Sequence, residues 1–482
     1  DFCLSRGLGD VYKRQAYTED AETLEQQENM YRLLPWFPAL WEEYTAILQK
    51  EASFWEEKNL VQTDSREEAG DYYYPEGWLQ FTGGDKSRYQ KNIRSIRILK
   101  ILEQEERNAT KEEQEILAGY VGWGGLPNAF NSKRPEWKKE YQELKELLTA
   151  EEYAQARASV NSSFYTPPEV VRGVYKALEQ FGFQKGKILE PAMGIGNFFH
   201  GLPESMRKSQ LYGVEIDSIS GRIAQKLHPS ANIQIKGFEK TEFEDNSFDV
   251  VVGNVPFGDF RLYDPRYKKM KLKVHDYFIR KSMDLLRPGG ILAVVTSKGT
   301  LDKNDSTVRK NLAEQADLLG AVRLPADSFG KSANTAVTSD LLFFQKKAEP
   351  LMGEPIWTYT GLTEDMVPVN EYYLEHPEMM LGKMVWFEQF FGKDSKYTAL
   401  VNNAEDFDLE KGILDAVGEL PQNCYEESIA EKKEEAQDVL AASPKIPNYT
   451  FTVIQDEVYY REGESLYRSQ AKESVKLSLI HI

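Results

Sequence analysis

The sequence predicts an α/β protein: a doubly wound, Rossmann-like sheet of about seven strands, the last returning antiparallel, between an N-terminal helical subdomain and a C-terminal helical extension. Three observations predict it. Short continuous apolar runs alternate with helical patterns between Lys187 and about Lys347, as in a parallel sheet covered on both faces. Apolar residues with helical spacing precede that region, and a Gly-x-Gly turn follows its first apolar run and opens a helix.

The ends of the chain read differently from its middle. Asp10–Gln15 can be encoded as GAT GTG TAT AAG AGA CAG, and Leu477–Ile482 as CTG TCT CTT ATA CAC ATC, the reverse complement. The pair resembles the mosaic-end adapter of transposase-made sequencing libraries. Residues 1–15 and 477–482 are therefore expected to be adapter artefact, with the natural chain continuing at both ends.

Residues 16–80 form an acidic N-terminal segment carrying an aromatic stretch, Tyr31–Phe37. Residues 81–160 are read as the helical subdomain. Ile93, Ile96, Ile98, Leu99, Ile101 and Leu102 recur at helical spacing, and Thr110-Lys111-Glu112-Glu113 is an N-cap signature opening a second helix. Two helices end at Gly122-Trp123-Gly124-Gly125, where Trp123 is either a lid over a site or a plug that packs the subdomain. A further helix is predicted from about Trp137 to Ser159.

Residues 161–349 hold the sheet, opened by Phe164-Tyr165-Thr166-Pro167-Pro168, whose prolines force an extended turn before a helix. Predicted strands are Ile188-Leu189, Leu211–Ile216, Ile233–Ile235, Phe248–Val252, Ile291–Thr296, Leu318–Leu324 and Leu341–Gln345. The last follows a loop with no obvious helix, hence the antiparallel return. Residues 350–446 read as a mostly helical extension, and 447–476 as the start of a truncated domain with a hairpin at Tyr449–Tyr460.

The net charge of −18 argues against a surface that coats nucleic acid everywhere. Locally the sign reverses: Arg261, Arg266, Lys268, Lys269, Lys271 and Lys273 face only Asp264 in sequence, a phosphate-binding stretch or a merely solvated loop. With Cys3 in the artefact, Cys424 stands alone, so neither a disulfide framework nor a zinc cluster is expected. No apolar run is long enough to span a bilayer, and the expected compartment is the cytoplasm.

Four strand ends carry candidate chemistry. In Glu190-Pro191-Ala192-Met193-Gly194-Ile195-Gly196-Asn197-Phe198, two glycines let the backbone approach a bulky ligand while the helix N-terminus offers N–H groups to a carboxylate. Glu215, followed by Ile216, stands where an acid accepts both hydroxyls of a ribose, or is simply a favourable helix N-terminal charge. Glu239 and Phe238 suit an adenine amino group and its ring, and equally a surface acid and a core Phe. The fourth end is Gly253-Asn254-Val255-Pro256-Phe257-Gly258. The Asn254 carboxamide and the Val255 carbonyl can draw a delocalised lone pair back onto an exocyclic amino nitrogen, and Phe257 offers a ring to stack on. His275 begins the next helix near the same rim, as a substrate contact or a capping residue.

At these residues the sequence resembles the S-adenosylmethionine-dependent methyltransferases that act on adenine N6 in DNA, over about residues 160–347. Phe164–Pro167 and Pro191–Phe198 match that family, while Asn254–Phe257 has Val255 where the first proline of an Asn-Pro-Pro-aromatic turn stands. Val does not fix φ, so a looser turn is expected. The resemblance implies Asn254, Val255, Pro256 and Phe257 as the catalytic turn. Tyr165, Thr166, Pro167, Glu190, Pro191, Ala192, Gly194, Gly196, Asn197, Phe198, Glu215, Ile216, Phe238 and Glu239 would hold S-adenosylmethionine, with DNA as partner and no metal. Tyr120–Gly125, Gly253–Phe260, His275–Phe278 and Thr296–Gly299 are similar to very large proteins of bacterial mobile elements, in which a methylase-like domain precedes a Swi/Snf-like helicase. No Gly-x-x-x-x-Gly-Lys-Ser/Thr loop occurs, so ATP is expected only through a helicase domain beyond this chain. Transfer to a protein glutamine or to RNA, and an inactive cofactor- and DNA-binding module, are the competing readings.

Overall fold

The computed structural model describes residues 69–75, 83–161, 165–329, 337–351, 353–386, 397–404, 406–426, 439–443, 445–454 and 457–468. The expected adapter ends, the acidic segment up to residue 68 and Phe164 lie outside them. The chain divides into two units, residues 1–68 with Thr110–Glu113, and Ala69–Ala109 with Gln114–Ile482. Of the first, only Thr110–Glu113 is described. There the expected capping box is present, Thr110 N–H donating to Glu113 at 2.9 Å and Glu113 N–H to the Thr110 hydroxyl at 3.4 Å.

Helices α1 (Asp85–Gln104), α2 (Lys111–Leu117), α3 (Lys138–Leu147) and α4 (Ala150–Ala158) come first. The single helix expected over 137–159 is two helices. Thr149 and Glu152 form a second capping box that starts a new helix where the old one ends. Tyr89, Ile93, Ile96, Leu99 and Leu102 of α1 are buried with Trp123 and Phe130. Trp123 is 1% exposed, its ring against Tyr89 at 6.2 Å and Phe130 at 5.3 Å, so it is the plug rather than a lid.

The seven expected strands are all present: β1 (Lys187–Glu190), β2 (Gln210–Glu215), β3 (Asn232–Ile235), β4 (Phe248–Asn254), β5 (Leu286–Ser297), β6 (Ala316–Leu324) and β7 (Ser339–Lys346). Their order is β3-β2-β1-β4-β5-β7-β6. The first five pair in parallel, whereas β7 lies antiparallel between β5 and β6. Helix α5 (Pro168–Phe181) precedes β1, and α6 (Asn197–His200), α7 (Ser218–Leu227), α8 (Val274–Leu285), α9 (Gly299–Asp302) and α10 (Thr307–Gln315) lie in the connections between strands. Val170, Val174 and Phe181 of α5 and Ile279 and Met283 of α8 share one core with the strands. Helix α7 faces two ways: Ala224 joins that core, while Ile219, Ile223 and Leu227 complete the core of the helical subdomain.

Between β6 and β7 the register sets Arg323 opposite Asp340. Both are fully buried. The guanidinium donates to Asp340 at 2.7 and 2.9 Å and to Asp302 at 2.7 and 2.9 Å, and lies 4.2 Å over the Tyr373 ring. Asp302 also accepts from the Asn370 N–H at 2.9 Å. This cluster fastens the following extension to the sheet. In its described residues that extension carries strands as well as helices. Strands β8 (Thr360–Leu362) and β9 (Pro368–Asn370), then β10 (Lys383–Trp386) and β11 (Thr398–Val401), form two antiparallel pairs around α11 (Glu371–Glu375) and ahead of α12 (Leu409–Gly418). Strands this short have too few residues for a two-residue period to stand out; their tertiary partners define them. The expected hairpin is β13 (Phe451–Ile454) with β14 (Glu457–Glu462), in a four-stranded sheet with β12 (Val439–Ala441) and β15 (Ser465–Arg468). Among the described residues no helix is long and apolar enough to cross a membrane.

Replacing Arg323 by Met strands two buried carboxylates. Urea unfolding of the Arg323→Met chain is expected to show a loss of about 3–5 kcal/mol, as when one partner of a buried ion pair is removed.

Candidate active site

The carboxyl ends of β1, β2 and β4 meet at the Glu190–Gly196 turn. Gly194 and Gly196 adopt left-handed φ values of +57° and +95°. A Cβ on Gly194 would stand 2.7 Å from the Tyr165 ring. Tyr165 is held there by its hydroxyl, 3.3 Å from the Ser220 hydroxyl at the start of α7. The Thr166 carbonyl accepts from the buried Asn197 side chain at 3.2 Å, and Pro167 leads directly into α5. The Tyr165–Pro167 turn and the glycine turn, separate in sequence, are therefore one wall.

Glu215 locks that wall to β2. Its carboxylate accepts from Gly194 N–H at 2.7 Å and from Asp217 N–H at 2.7 Å. Burial, then the neighbouring Asp217 charge, raise its pKa to about 7, against the pull of the backbone N–H groups. Glu190 is 2% exposed, and its Oε2 has no hydrogen-bond partner. Burial first, and the Glu215 charge second, hold its carboxyl well above the usual range. Beside it, Gly253 has φ +148°, and a Cβ there would lie 3.4 Å from Glu190 Cγ. The next residue is Asn254, whose Oδ1 is likewise buried without a partner. A buried polar atom without a partner is costly unless a ligand satisfies it, and both Glu190 and Asn254 carry one.

Val255 is 1% exposed, and its N–H donates to the Val295 carbonyl at 3.0 Å. The expected loosening is corrected by this bond. A proline in its place has no N–H to give, whereas Val extends the β4–β5 pairing by one residue and fixes the turn through the ladder. Pro256 and Phe257 are half-buried.

The remaining candidates separate. Ile216 is 69% exposed beside Glu215, an apolar face free to cover a ring. Phe238 is 2% exposed, with its ring 5.0 Å from Phe278, and belongs to the core. Glu239 folds back over Gly237, where a Cβ would collide with its carboxylate. His275 is buried, and burial lowers its pKa, which suits packing. Of the basic stretch, Arg266 is engaged by Asp245 at 2.7 Å and Lys273 by Asp259 at 2.8 Å. Arg261, Lys268, Lys269 and Lys271 are exposed, as are Phe260, Tyr263 and Met270. The loop is pinned from beneath: Tyr277 donates to Asp264 and Tyr267 to Asp284, each at 2.7 Å. Asp264, the stretch's own acid, thus points inward.

Sequence reasoning passed over the backing of the glycine turn. His200 and His228 stack at 4.9 Å, and a Cβ on Gly196 would lie 3.2 Å from the His228 ring. Burial lowers both pKa values, that of His228 to about 4. The segment before α1 lies along them, with Tyr74 N–H donating to the His200 carbonyl at 2.8 Å. Tyr72-Tyr73-Tyr74 was the available signal. Among the described residues no group of three or more His, Cys, Asp or Glu is placed to hold a metal.

A family model described as N-6 DNA Methylase matches residues 145–407, just over half of the chain. The chain is 29% identical over 316 residues to defense against restriction protein B of Escherichia phage P1, covering 63% of this chain and 12% of that protein. It is 24% identical over 273 residues to the type I restriction enzyme MjaIX methylase subunit of Methanocaldococcus jannaschii, covering 49% of this chain and 47% of the subunit. Among solved structures it is similar to the type I restriction-modification methyltransferase subunit from Streptococcus thermophilus, at 15% identity and a TM-score of 0.34, over 56% of this chain and 85% of that one. The chain thus spans less than half the length of each of these two curated relatives.

Two outcomes follow from this geometry. Hydroxyl donors favour an ionised Glu215, so calorimetric affinity for S-adenosylmethionine is expected to fall about tenfold from pH 8 to pH 6, below a pKa near 7, and to be weak and flat with pH in Glu215→Gln. Val255→Pro deletes the donor to a buried carbonyl and is expected to cost roughly 1–3 kcal/mol, read as a lowered Tm.

Proposed function

Since the chain belongs to the N-6 DNA methylase family, we propose that it moves a methyl group from S-adenosylmethionine to the N6 amino group of adenine in DNA. The observation that carries this reading is the buried, unpartnered Asn254 Oδ1, one residue after the Gly253 that packs beside Glu190 and Pro191 of the glycine turn. The residues fit the cofactor: the left-handed Gly194 and Gly196 shape a tight turn at the carboxyl end of β1, Glu215 offers acceptors to a ribose, and Ile216 offers an apolar face to a ring. When bound, the cofactor supplies an electrophilic methyl on a cationic sulfonium. Burial, then the Glu215 charge, raise the Glu190 pKa well above the usual carboxylate range, and a neighbouring cation would favour its ionised form.

The chain's own part in the reaction is positioning. Asn254 Oδ1 and the Val255 carbonyl accept from the adenine amino group, keep its lone pair on nitrogen, and stabilise the positive charge that grows there. Phe257 stacks on the base. An acceptor buried in this way cannot reach a base inside a duplex, so the base is flipped out, at a cost of a few kcal/mol offset by stacking and hydrogen bonds. Arg261, Lys268, Lys269 and Lys271 hold the flanking phosphates without reading sequence; Arg266 and Lys273 serve chiefly to shape their loop. The chain acts as the methylase part of a larger cytoplasmic protein of a mobile element, whose ATP-using helicase lies outside it. The phage protein of which it covers 12% supports a larger whole.

The test is transfer of label from tritiated S-adenosylmethionine to duplex DNA. Asn254→Ala is expected to lower transfer by roughly a hundredfold or more, the scale of losing one positioned polar group, with cofactor affinity retained. Transfer to RNA or protein in place of DNA, or cofactor binding with no transfer to any of them, would overturn the proposal.

A further inference from the structure

Helix α3 sorts its charges by face. Glu140 and Glu143 turn toward α1, where they pair with Lys86 and, at 2.8 Å, with Arg97. Tyr141 and Lys145, four residues apart, share the other face. That face, with α4 and the turn after Trp123, bounds an open groove of about 590 Å³, within the range of roughly 300–1,000 Å³ that holds a nucleotide-sized molecule. Its walls include Phe130, Lys133, Tyr141, Lys145, Tyr153 and Arg157, and no Asp or Glu. Lys133, Lys145 and Arg157 are exposed, and Lys145 Nζ stands 4.6 Å over the Tyr153 ring. Phe130 forms a firm floor, edge-on to Trp123 at 5.3 Å and to Tyr153 at 5.4 Å.

We propose that this groove binds a strand of DNA, with phosphates on Lys133, Lys145 and Arg157 and a sugar or base against the tyrosine rings. It is a second contact, distinct from the loop at 261–273, and it rests on DNA being the substrate. Charge supports it. A chain of net charge −18 repels a polyanion over much of its surface, so a cation-lined groove without a carboxylate is where phosphates can approach. Tyrosine beside cations is the pairing that takes single bases and backbone without reading sequence. Location supports it too. Gln155 of α4 accepts from the Ser218 N–H at 3.1 Å, at the start of α7. Val160, another groove residue, precedes by a few positions the Tyr165 that presses on Gly194. The groove's α4 is thereby joined to the start of α7, where Ser220 meets the Tyr165 that covers the glycine turn.

The test is fluorescence anisotropy of the full chain with a short labelled duplex and with its single strand, over a salt series. In the combined variant Lys133→Gln, Lys145→Gln and Arg157→Gln, DNA affinity is expected to fall at least about tenfold. The slope of log affinity against log salt should drop by roughly 2–3, near 0.9 per lost phosphate contact. Cofactor affinity and Tm should stay as in the parent. An unchanged DNA affinity and salt slope would overturn the proposal, as would a polyglutamate peptide or an RNA bound as tightly as DNA and lost in the same variant. A parent that binds DNA through this groove but transfers no methyl to it refutes the active-site reading and leaves the groove standing. A parent that methylates DNA while the triple variant binds normally refutes the groove alone.

Discussion

The bond from Gly194 N–H to the Glu215 carboxylate joins the turn after β1 to the end of β2, and much of the site depends on it. At that bond Gly194 sits at φ +57°, and a Cβ on it would stand 2.7 Å from the Tyr165 ring. Glycine is therefore required twice at one position, for its dihedral and for its missing atom. Once the clasp is closed, Tyr165 is fixed over the turn, Asn197 reaches the Thr166 carbonyl, and α6 starts in place. The cost is electrostatic. Glu215 is raised to about 7 and Glu190 well above the usual carboxylate range, so burial has concentrated latent negative charge where a cationic ligand is expected.

A second constraint acts at the other side of the sheet. Arg323, between Asp340 and Asp302 and under Tyr373, ties β6, β7, α9 and the extension into one body. Such a cluster adds little to stability over an apolar one, yet it fails badly if any member is lost. It joins β6 to β7, which pairs in turn with β5, and β5 pairs with β4. There Val295 takes the Val255 N–H and sets the Asn254 turn. The candidate catalytic turn and the buried arginine thus belong to one hydrogen-bonded sheet.

The seven strands were legible because buried parallel strands read as unbroken apolar runs, as Val250-Val251-Val252 and Leu292–Val295 show. The Gly194 turn was legible as a turn because two glycines between a strand and a helix suit left-handed φ values, which Gly194 and Gly196 adopt. What the sequence hid was pairing across distance. Arg323 and Asp302 are 21 residues apart and look like ordinary surface charges until the strands align them. Thr149, a plain polar residue in a helical pattern, splits the helix because Glu152 completes a capping box. Phe238 fitted a ligand or a core equally, and Phe278 decided for the core. At Val255 the local rule, that losing a proline loosens a turn, was outweighed by a hydrogen bond that only a non-proline residue can make.

In the proposed function the Asn254 turn takes an adenine amino group and the Gly194–Glu215 clasp holds the methyl donor. The most direct measurement is mass spectrometry of nucleosides digested from DNA that has been incubated with the full chain and S-adenosylmethionine. The expected product is N6-methyl-2′-deoxyadenosine. Methyl on cytosine N4 or on a ring carbon, or DNA left unmodified while the cofactor binds, would contradict it.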